Sequence, residues 1–158
     1  MPYIIDGNNL IGCTPDISFE DANAREKLLH IVRKYQESRN SNIFIVFDGD
    51  PCDSPYRQTL SNKFTVIYPR MGCSADDEIK KLLGNYHDCR DVVLVSSDRA
   101  LKDFARKKGA KIINSIEFYF ELKRIYHING KKEENLKRIN TSLSKNEVDQ
   151  WLKIFDGN

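Results

Sequence analysis

Three short apolar runs in this chain each end in an aspartate. The aspartates are Asp6, Asp48 and Asp98, and none of the runs before them is longer than about six residues. Continuous apolar runs of this length are typical of parallel strands that are covered by helices on both faces. Because parallel strands end at the same edge of a sheet, we expect these carboxylates to lie near one another, at the edge where open sheets place their sites.

Helical patterns separate the apolar runs. The spacing of apolar residues and the capping signals predict helices over residues 19–38, 74–83, 98–108 and 115–124. Short strands are expected at residues 64–68 and 110–113. Strands that alternate with helices predict an α/β fold with a central, mostly parallel sheet and right-handed crossovers.

Two polar stretches near the predicted sheet edge are interpreted as irregular structure. Gly7, Asn8 and Asn9 are residue types that tolerate unusual backbone angles, so they predict a turn after the first strand. Residues 49–62 contain two prolines and predict a long loop, which at this length is usually functional or mobile.

The C-terminal fifth of the chain differs from the rest. Residues 1–128 are expected to form one domain and residues 129–143, which are charged and polar, a linker. A capping box at Ser144 and Glu147 predicts a final amphipathic helix over residues 144–158. Its apolar stripe consists of Val148, Trp151, Leu152 and Phe155. We expect this helix to dock on the domain, and binding to a partner is the rarer alternative.

Composition excludes several classes of protein. The 158 residues fit one domain, and the net charge of +2 does not exclude nucleic acid, because the acids of a metal site would partly cancel a basic surface in the sum. The four cysteines form no C-x-x-C pair, so reduced thiols are expected. No signal peptide and no apolar run of about 20 residues is visible. We therefore expect a cytoplasmic protein that does not enter a membrane.

The motifs of other chemistries on α/β folds are absent from the sequence. It contains no glycine-rich dinucleotide fingerprint, no Walker A motif and no G-x-S-x-G elbow. An aspartyl phosphatase would need a second acid two residues after Asp6, where this chain has Asn8. Clustered carboxylates instead suit Mg²⁺ or Mn²⁺, and hence metal-dependent phosphodiester chemistry.

Two of the acids also have simple structural interpretations. Asp76 lies in the first turn of a predicted helix, where acids commonly interact with the helix dipole. Asp98 is suited to cap the helix that follows it, and this role can coexist with a place in a site. That helix carries Arg99, Lys102 and Arg106, which could form a solvated face or contact phosphates.

Several segments, taken in order, resemble one known family. The opening segment, residues 3–12, is similar to that of NYN domains, specifically the YacP-like branch of the PIN-like nucleases. The resemblance continues through residues 24–29, 46–49, 74–79, 95–99, 109–110 and 115–118, and so covers about residues 3–124. It implies a PIN-like three-layer fold, a Mg²⁺ or Mn²⁺ site and endoribonuclease activity.

The resemblance also implies roles for particular residues. Asp6, Asp48, Asp76 and Asp98 match the acidic site of the family, and Asn9 matches its asparagine after the first acid. Asn8 and Lys102 depart from the family pattern, which has an aromatic residue and a glutamine there.

The expected mechanism follows from this set. Asp6, Asp76 and Asp98 would bind the metal, with Asp6 and Asp76 as the principal ligands. Asp98 and Asp48 would complete or orient the site through water, and Asn9 would hydrogen-bond the metal shell or a phosphate. The basic residues after Asp98 would attract RNA, which is expected to be single-stranded. Two alternatives stay open, namely a non-catalytic RNA-binding or ribosome-associated module and a metal-dependent nucleotide phosphohydrolase.

Overall fold

A six-stranded sheet forms the centre of the molecule. The computed structural model describes residues 1–18, 20–48, 57–69 and 72–127. The strands are β1 (Pro2–Asp6), β2 (Asn42–Val46), β3 (Arg57–Ser61), β4 (Phe64–Ile67), β5 (Val93–Val95) and β6 (Lys111–Ile113). Their order in the sheet is β3-β4-β2-β1-β5-β6, and only β3 runs antiparallel to its neighbour.

Five helices occur in the described part of the chain. They are α1 (Gly7–Gly12), α2 (Ala24–Arg39), α3 (Ala75–Gly84), α4 (Arg99–Lys107) and α5, which covers residues 115–127. None of them is long and apolar enough to cross a bilayer. The strands and helices confirm the predicted α/β fold with a mostly parallel sheet between helices.

The two faces of the sheet bury separate apolar clusters. On one face Ile5 packs with α2 and α5 through residues such as Leu28 and Phe118. On the other face Ile4 packs with α3 and α4 through residues such as Ile79 and Leu101. The alternation of Ile4 and Ile5 between the faces is the two-residue period of a strand. Both faces of β1 are therefore covered, which explains its continuous apolar sequence.

The predicted turn at residues 7–9 is wrong, because this segment begins α1. The side-chain oxygen of Asn8 accepts a hydrogen bond from the Asp48 main-chain N–H (2.8 Å), and that of Asn9 accepts one from the Ser97 N–H (2.8 Å). Both asparagines thus bond to neighbouring strand ends rather than to their own backbone. The backbone is free to continue as a short helix, and Leu10 becomes fully buried.

Helix α2 begins later than predicted. The helix starts at Ala24 rather than near residue 19. Ser18 accepts a hydrogen bond from the Glu20 N–H (3.2 Å), and Asp21 accepts one from the Asn23 N–H (2.9 Å). Such local bonds from polar side chains compete with helical hydrogen bonds.

The predicted loop over residues 49–62 is wrong in its second half, where β3 pairs with β4 at the edge of the sheet. The sequence of β3 is polar and its first three residues are exposed. Edge strands are commonly polar, so hydrophobic periodicity gives no signal for them. Residues 49–56 lie outside the described part of the chain, as do the predicted linker at 129–143 and the predicted helix at 144–158.

Candidate active site

Asp6 is the buried member of the predicted acidic set. It is the last residue of β1 and is only 6% exposed. Its carboxylate accepts a hydrogen bond from the Ser96 hydroxyl at 3.2 Å. Burial raises the pKa of Asp6 to about 6, and the charges of Asp76 and Asp48 act in the same direction, whereas the Ser96 hydroxyl lowers the pKa. Asp6 is therefore costly to ionise without a compensating cation.

The backbone at Gly7 packs closely against the Phe47 ring, which brings the ends of β1 and β2 together. Directly after Asp6, a Cβ atom built on Gly7 would lie 2.6 Å from the Phe47 ring and 3.0 Å from the Val46 carbonyl oxygen. Only glycine fits at this distance, so the residue after Asp6 is fixed by packing. The same packing places Asp48, which follows Phe47, within electrostatic reach of Asp6.

Asp48 is held by its backbone and by its carboxylate. Its main-chain N–H donates to Asn8, as described above, and its carbonyl oxygen accepts a hydrogen bond from the Arg25 guanidinium. Its carboxylate accepts a hydrogen bond of 3.1 Å from the N–H of Ala75, the first residue of α3. The free N–H groups at a helix start attract negative charge, so this bond joins the end of β2 to the start of α3.

Arg25 is positioned by two aromatic rings. Its guanidinium carbon lies 5.2 Å from the centroid of Phe47 and 5.7 Å from that of Tyr68. The two rings are themselves stacked, with centroids 6.1 Å apart. A planar guanidinium packs well on such faces. Arg25 thus connects α2 to the segment that carries Asp48.

Asp76 interacts electrostatically with all three other acids. It lies in the first turn of α3, between Ser74 and Asp77, which together form a capping box. Burial raises the pKa of Asp76, and the charges of Asp98 and Asp48 raise it further, whereas Lys80 lowers it. Asp76 also acts on the pKa of Asp6. The predicted capping arrangement of Ser74 with Asp77 is confirmed.

Asp98 is an N-cap that is also joined to Asp6. Its carboxylate accepts a hydrogen bond of 2.9 Å from the Leu101 N–H, which confirms the capping role predicted for it. Its main-chain N–H donates to the Ser96 hydroxyl oxygen at 3.0 Å. Ser96 is fully buried, and its hydroxyl donates to Asp6. One serine therefore fixes the relative positions of the acids at the ends of β1 and β5.

The side-chain oxygen of Asn9 is engaged within the protein. It accepts hydrogen bonds from the Ser97 N–H at 2.8 Å and from the Ser115 hydroxyl at 2.6 Å. The Ser115 N–H in turn donates to the Ser97 hydroxyl at 3.1 Å. Asn9 thus joins α1 to the start of α5 and to the loop that precedes Asp98. Its amide nitrogen is the group left to act as a donor toward a phosphate.

The predicted phosphate-contacting residues on α4 differ in their surroundings. Arg99 is the exposed first residue of the helix. Lys102 donates to the Asn114 side-chain oxygen at 3.2 Å, and Arg106 forms an ion pair of 3.2 Å with Asp103. Two of the three basic residues therefore already have protein partners.

The donor set fits a hard divalent cation held partly through water. In the described residues no three His, Cys, Asp or Glu side chains lie close enough together to bind one ion directly. Magnesium, however, is usually bound by only one or two carboxylates and keeps several of its waters. Burial raises the pKa of both Asp6 and Asp76, and neighbouring carboxylates raise both further, so a cation that neutralises these charges would be favoured here. Oxygen donors are the ligands that Mg²⁺ and Mn²⁺ prefer.

Two cavities lie beside helix α2. One, of about 380 Å³, is lined by Asn8, Ile11, Asp21, Ala22, Ala24 and Arg25, of which Asn8 and Arg25 hydrogen-bond the main chain of Asp48. A larger cavity of about 570 Å³ lies between α2 and α5, and neither of these two cavities is lined by any of the four site aspartates. Carboxylate chemistry, and not cavity size, therefore identifies the candidate site.

The sequence patterns assign no site role to three residues that the structure places at this site, namely Ser96, Lys80 and Arg25. Ser96 precedes Asp98 by two residues at a strand end, and Lys80 follows Asp76 by one helical turn. These spacings are signals that a search around each acid would find. Arg25 gives no comparable signal, because its contact with Asp48 joins elements that are 23 residues apart.

Comparison with known proteins agrees with this architecture. The sequence model of the family described as the YacP-like NYN domain matches residues 3–156, further along the chain than the predicted resemblance. The crystal structure of Rae1 (YacP) from Bacillus subtilis is similar, with a TM-score of 0.73 and 20% identity, covering 99% of this chain and 92% of that one. A tryptophan-to-leucine mutant of Rae1 gives a TM-score of 0.68 and 22% identity, covering 92% and 87%. No curated protein matches the sequence.

Proposed function

Because the chain belongs to the YacP-like NYN domain family, a group of nuclease-like domains, we propose that it is a divalent-metal-dependent endoribonuclease. One observation carries the proposal. Asp6, Asp48, Asp76 and Asp98 come from four separate parts of the chain, and Asp76 lies within electrostatic reach of the other three at the carboxyl edge of the sheet. The cofactor, the substrate and the individual residue roles are parts of this proposal.

Asp6, Asp76 and Asp98 would hold the ion, in part through its bound waters, with Asp48 orienting the start of α3 beside them. When bound, Mg²⁺ or Mn²⁺ polarises a phosphate and lowers the pKa of a coordinated water. The Ser96 hydroxyl keeps Asp6 and Asp98 in register through its two hydrogen bonds. Burial of Asp6 keeps bulk water away from its carboxylate, which strengthens its interaction with a cation.

Single-stranded RNA is the substrate that fits this arrangement best. Its backbone can bend toward an acidic cleft, and its bases are free to be contacted. The exposed Arg99, next to Asp98, would attract the phosphates on either side of the cut. A messenger RNA on the ribosome would supply such a strand, and RNA processing or decay is the corresponding process.

A cleavage assay tests the proposal and separates it from its alternatives. Labelled single-stranded RNA, duplex RNA, DNA and free nucleotides are incubated with the protein in Mg²⁺, Mn²⁺ or EDTA. We expect internal cuts in single-stranded RNA with either metal and none in EDTA. Asp76→Asn should abolish cleavage, whereas the control Asp91→Asn should not, because Asp91 is exposed before β5, at the opposite edge of the sheet.

Each other outcome contradicts the proposal in a recognisable way. Binding of RNA without cleavage under any metal condition would indicate a non-catalytic RNA-binding module. Turnover of free nucleotides alone would indicate a phosphohydrolase. Cleavage that survives thorough chelation, or that survives Asp76→Asn, would remove the acidic site from the mechanism.

A further inference from the structure

An aromatic ring on α4 lies within cation–π distance of two lysines. The ammonium nitrogen of Lys80, on α3, is 5.6 Å from the centroid of the Phe104 ring, and that of Lys108, at the end of α4, is also 5.6 Å from it. Both lysines are exposed, and the ring is half-buried. Two exposed cations beside one partly accessible aromatic ring are the elements of a single-strand binding surface, in which bases stack on rings and phosphates contact lysines.

This group lies next to the acidic site. Lys80 follows Asp76 by four residues, which is about one turn or 6 Å along the helix axis. The positive charge of Lys80 lowers the pKa of Asp76, so the two side chains are within electrostatic reach. Phe104 and Lys108 then continue from Lys80 along α4. A chain that leaves the carboxylates beside Asp76 would therefore meet Lys80 first.

The apolar core does not bury the whole of the Phe104 ring. Phe104 packs only partly against the cluster beneath α3 and α4, which is built from fully buried residues such as Ile79 and Leu101. Cation–π contacts at exposed sites are weak, so a base can replace an ammonium on the ring face while the ammonium turns to a phosphate. Asp103, the acidic neighbour on α4, is paired with Arg106.

We propose that Lys80, Phe104 and Lys108 form a track for single-stranded RNA that leads from Asp76 along α3 and α4. One base stacks on Phe104, and the flanking phosphates contact Lys80 and Lys108. The inference rests on the proposed endoribonuclease function and adds the path of the substrate to it. It places this path on the side of α4 that faces α3. The path does not include Lys102, which is bonded to Asn114.

The track predicts different changes for the lysines and for the ring. Binding of a fluorescein-labelled single-stranded oligouridylate is measured by anisotropy in EDTA, over a range of salt concentrations. Lys80→Gln and Lys108→Gln should each reduce the slope of log affinity against log salt by about 0.7, the value for one phosphate contact on a single strand. Phe104→Leu should weaken binding about 3- to 10-fold at every salt concentration with an unchanged slope, because stacking releases no counterions.

The controls separate the track from general effects. Lys63→Gln removes the same charge from an exposed position just before β4, at the opposite edge of the sheet, and should leave the slope unchanged. Circular dichroism melting confirms that Phe104→Leu is folded under the assay conditions. The same oligonucleotide is incubated with the wild-type protein in Mn²⁺ to measure cleavage.

Two results would overturn the inference, and they can be told apart from failure of the proposed function. If the wild-type protein cleaves the oligonucleotide but the three track variants behave like Lys63→Gln, only the track is wrong. If instead Lys102→Gln alone reduces the slope, the RNA path lies elsewhere on α4 and the track is again wrong. If the wild-type protein neither binds nor cleaves the oligonucleotide, the proposed function fails and the track fails with it.

Discussion

The side-chain oxygen of Asn9 accepts a hydrogen bond of 2.8 Å from the main-chain N–H of Ser97. This bond joins α1 to the loop that carries Asp98, across 88 residues of sequence. The same oxygen also accepts the Ser115 hydroxyl at the start of α5. Asn9 is therefore a positioning residue for the candidate site, and a role toward metal or phosphate would use its amide nitrogen.

Removing this side chain should loosen the site. Asn9→Ala leaves the Ser97 N–H and the Ser115 hydroxyl without their acceptor, which should reduce the free energy of unfolding by about 1 to 3 kcal/mol. Urea denaturation measures the change. The control Asn85→Ala alters an exposed asparagine at the end of α3 and should stay within about 0.5 kcal/mol. Equal effects of the two substitutions would show that the Asn9 bonds contribute nothing to stability.

Gly7 offers a test of the contact between β1 and β2. Gly7→Ala places a methyl group 2.6 Å from the Phe47 ring, so it should destabilise the protein by about 1 to 3 kcal/mol and displace Asp6 or Asp48. Gly84→Ala is the matched control, because nothing lies within 4 Å of a Cβ atom there and the residue is helical. It should leave the melting temperature unchanged or raise it. A Gly7→Ala protein with wild-type stability would contradict the close packing described for this edge.

The parts of the fold with buried, periodic sequence could be predicted from the sequence. The runs before Asp6, Asp48 and Asp98 indicate strands because both faces of the parallel sheet are covered, and the capping box at Ser74 marks the start of α3. The convergence of the three strand-end acids follows from the parallel order of the strands. For these elements the local pattern and the tertiary packing agree.

The remaining parts depend on contacts between distant residues. Helix α1 forms because Asn8 and Asn9 bond to the segments after β2 and β5, and β3 forms because β4 offers it a free edge. Neither condition can be recognised within a short window of sequence. The same holds for Arg25, whose contact with Asp48 depends on how α2 packs beside the sheet.

The raised pKa of Asp6 predicts a pH dependence of stability in the metal-free protein. Burial raises this pKa from 3.8 to about 6, so between these values the folded state holds a proton that the unfolded state has lost. The stabilisation is fully present below about pH 4 and is lost as the pH rises through about 6. Asp6→Asn stays neutral throughout, so at pH 7 it should raise the free energy of unfolding by up to about 3 kcal/mol.

Melting curves of wild-type and Asp6→Asn protein in EDTA, recorded from pH 4 to pH 8, measure this difference. The two proteins should converge near pH 4, diverge as the pH rises from about 4 to about 6, and keep a constant difference above that, with Asp6→Asn the more stable. A less stable Asp6→Asn protein at pH 7 would mean that the ionised carboxylate supports the fold and that the four acids are structural.

The C-terminal residues give a prediction about their role in stability. Residues 144–158 lie outside the described part of the chain, but the family match extends to residue 156. We propose that the apolar stripe containing Trp151 and Phe155 is buried against the domain, because an isolated helix of this length is marginal in water. Deleting residues 141–158 should then lower the melting temperature and leave metal binding intact.

Trp151 is the only tryptophan, so its fluorescence reports directly on this segment. A blue-shifted emission that is protected from acrylamide is expected in the native protein. A red-shifted, readily quenched emission would instead indicate that the segment is free to bind a partner.

Direct binding of Mn²⁺ tests the central claim that the four aspartates together form a site for a divalent cation. Electron paramagnetic resonance measures free Mn²⁺ during a titration of the metal-free protein, with Mg²⁺ as competitor. We predict that the wild-type protein binds Mn²⁺ saturably and that Mg²⁺ displaces it. Asp6→Asn and Asp76→Asn should each weaken the binding at least tenfold, whereas Asp91→Asn should leave it unchanged. Binding that is absent in the wild-type protein, or equal in Asp76→Asn and Asp91→Asn, would contradict the account.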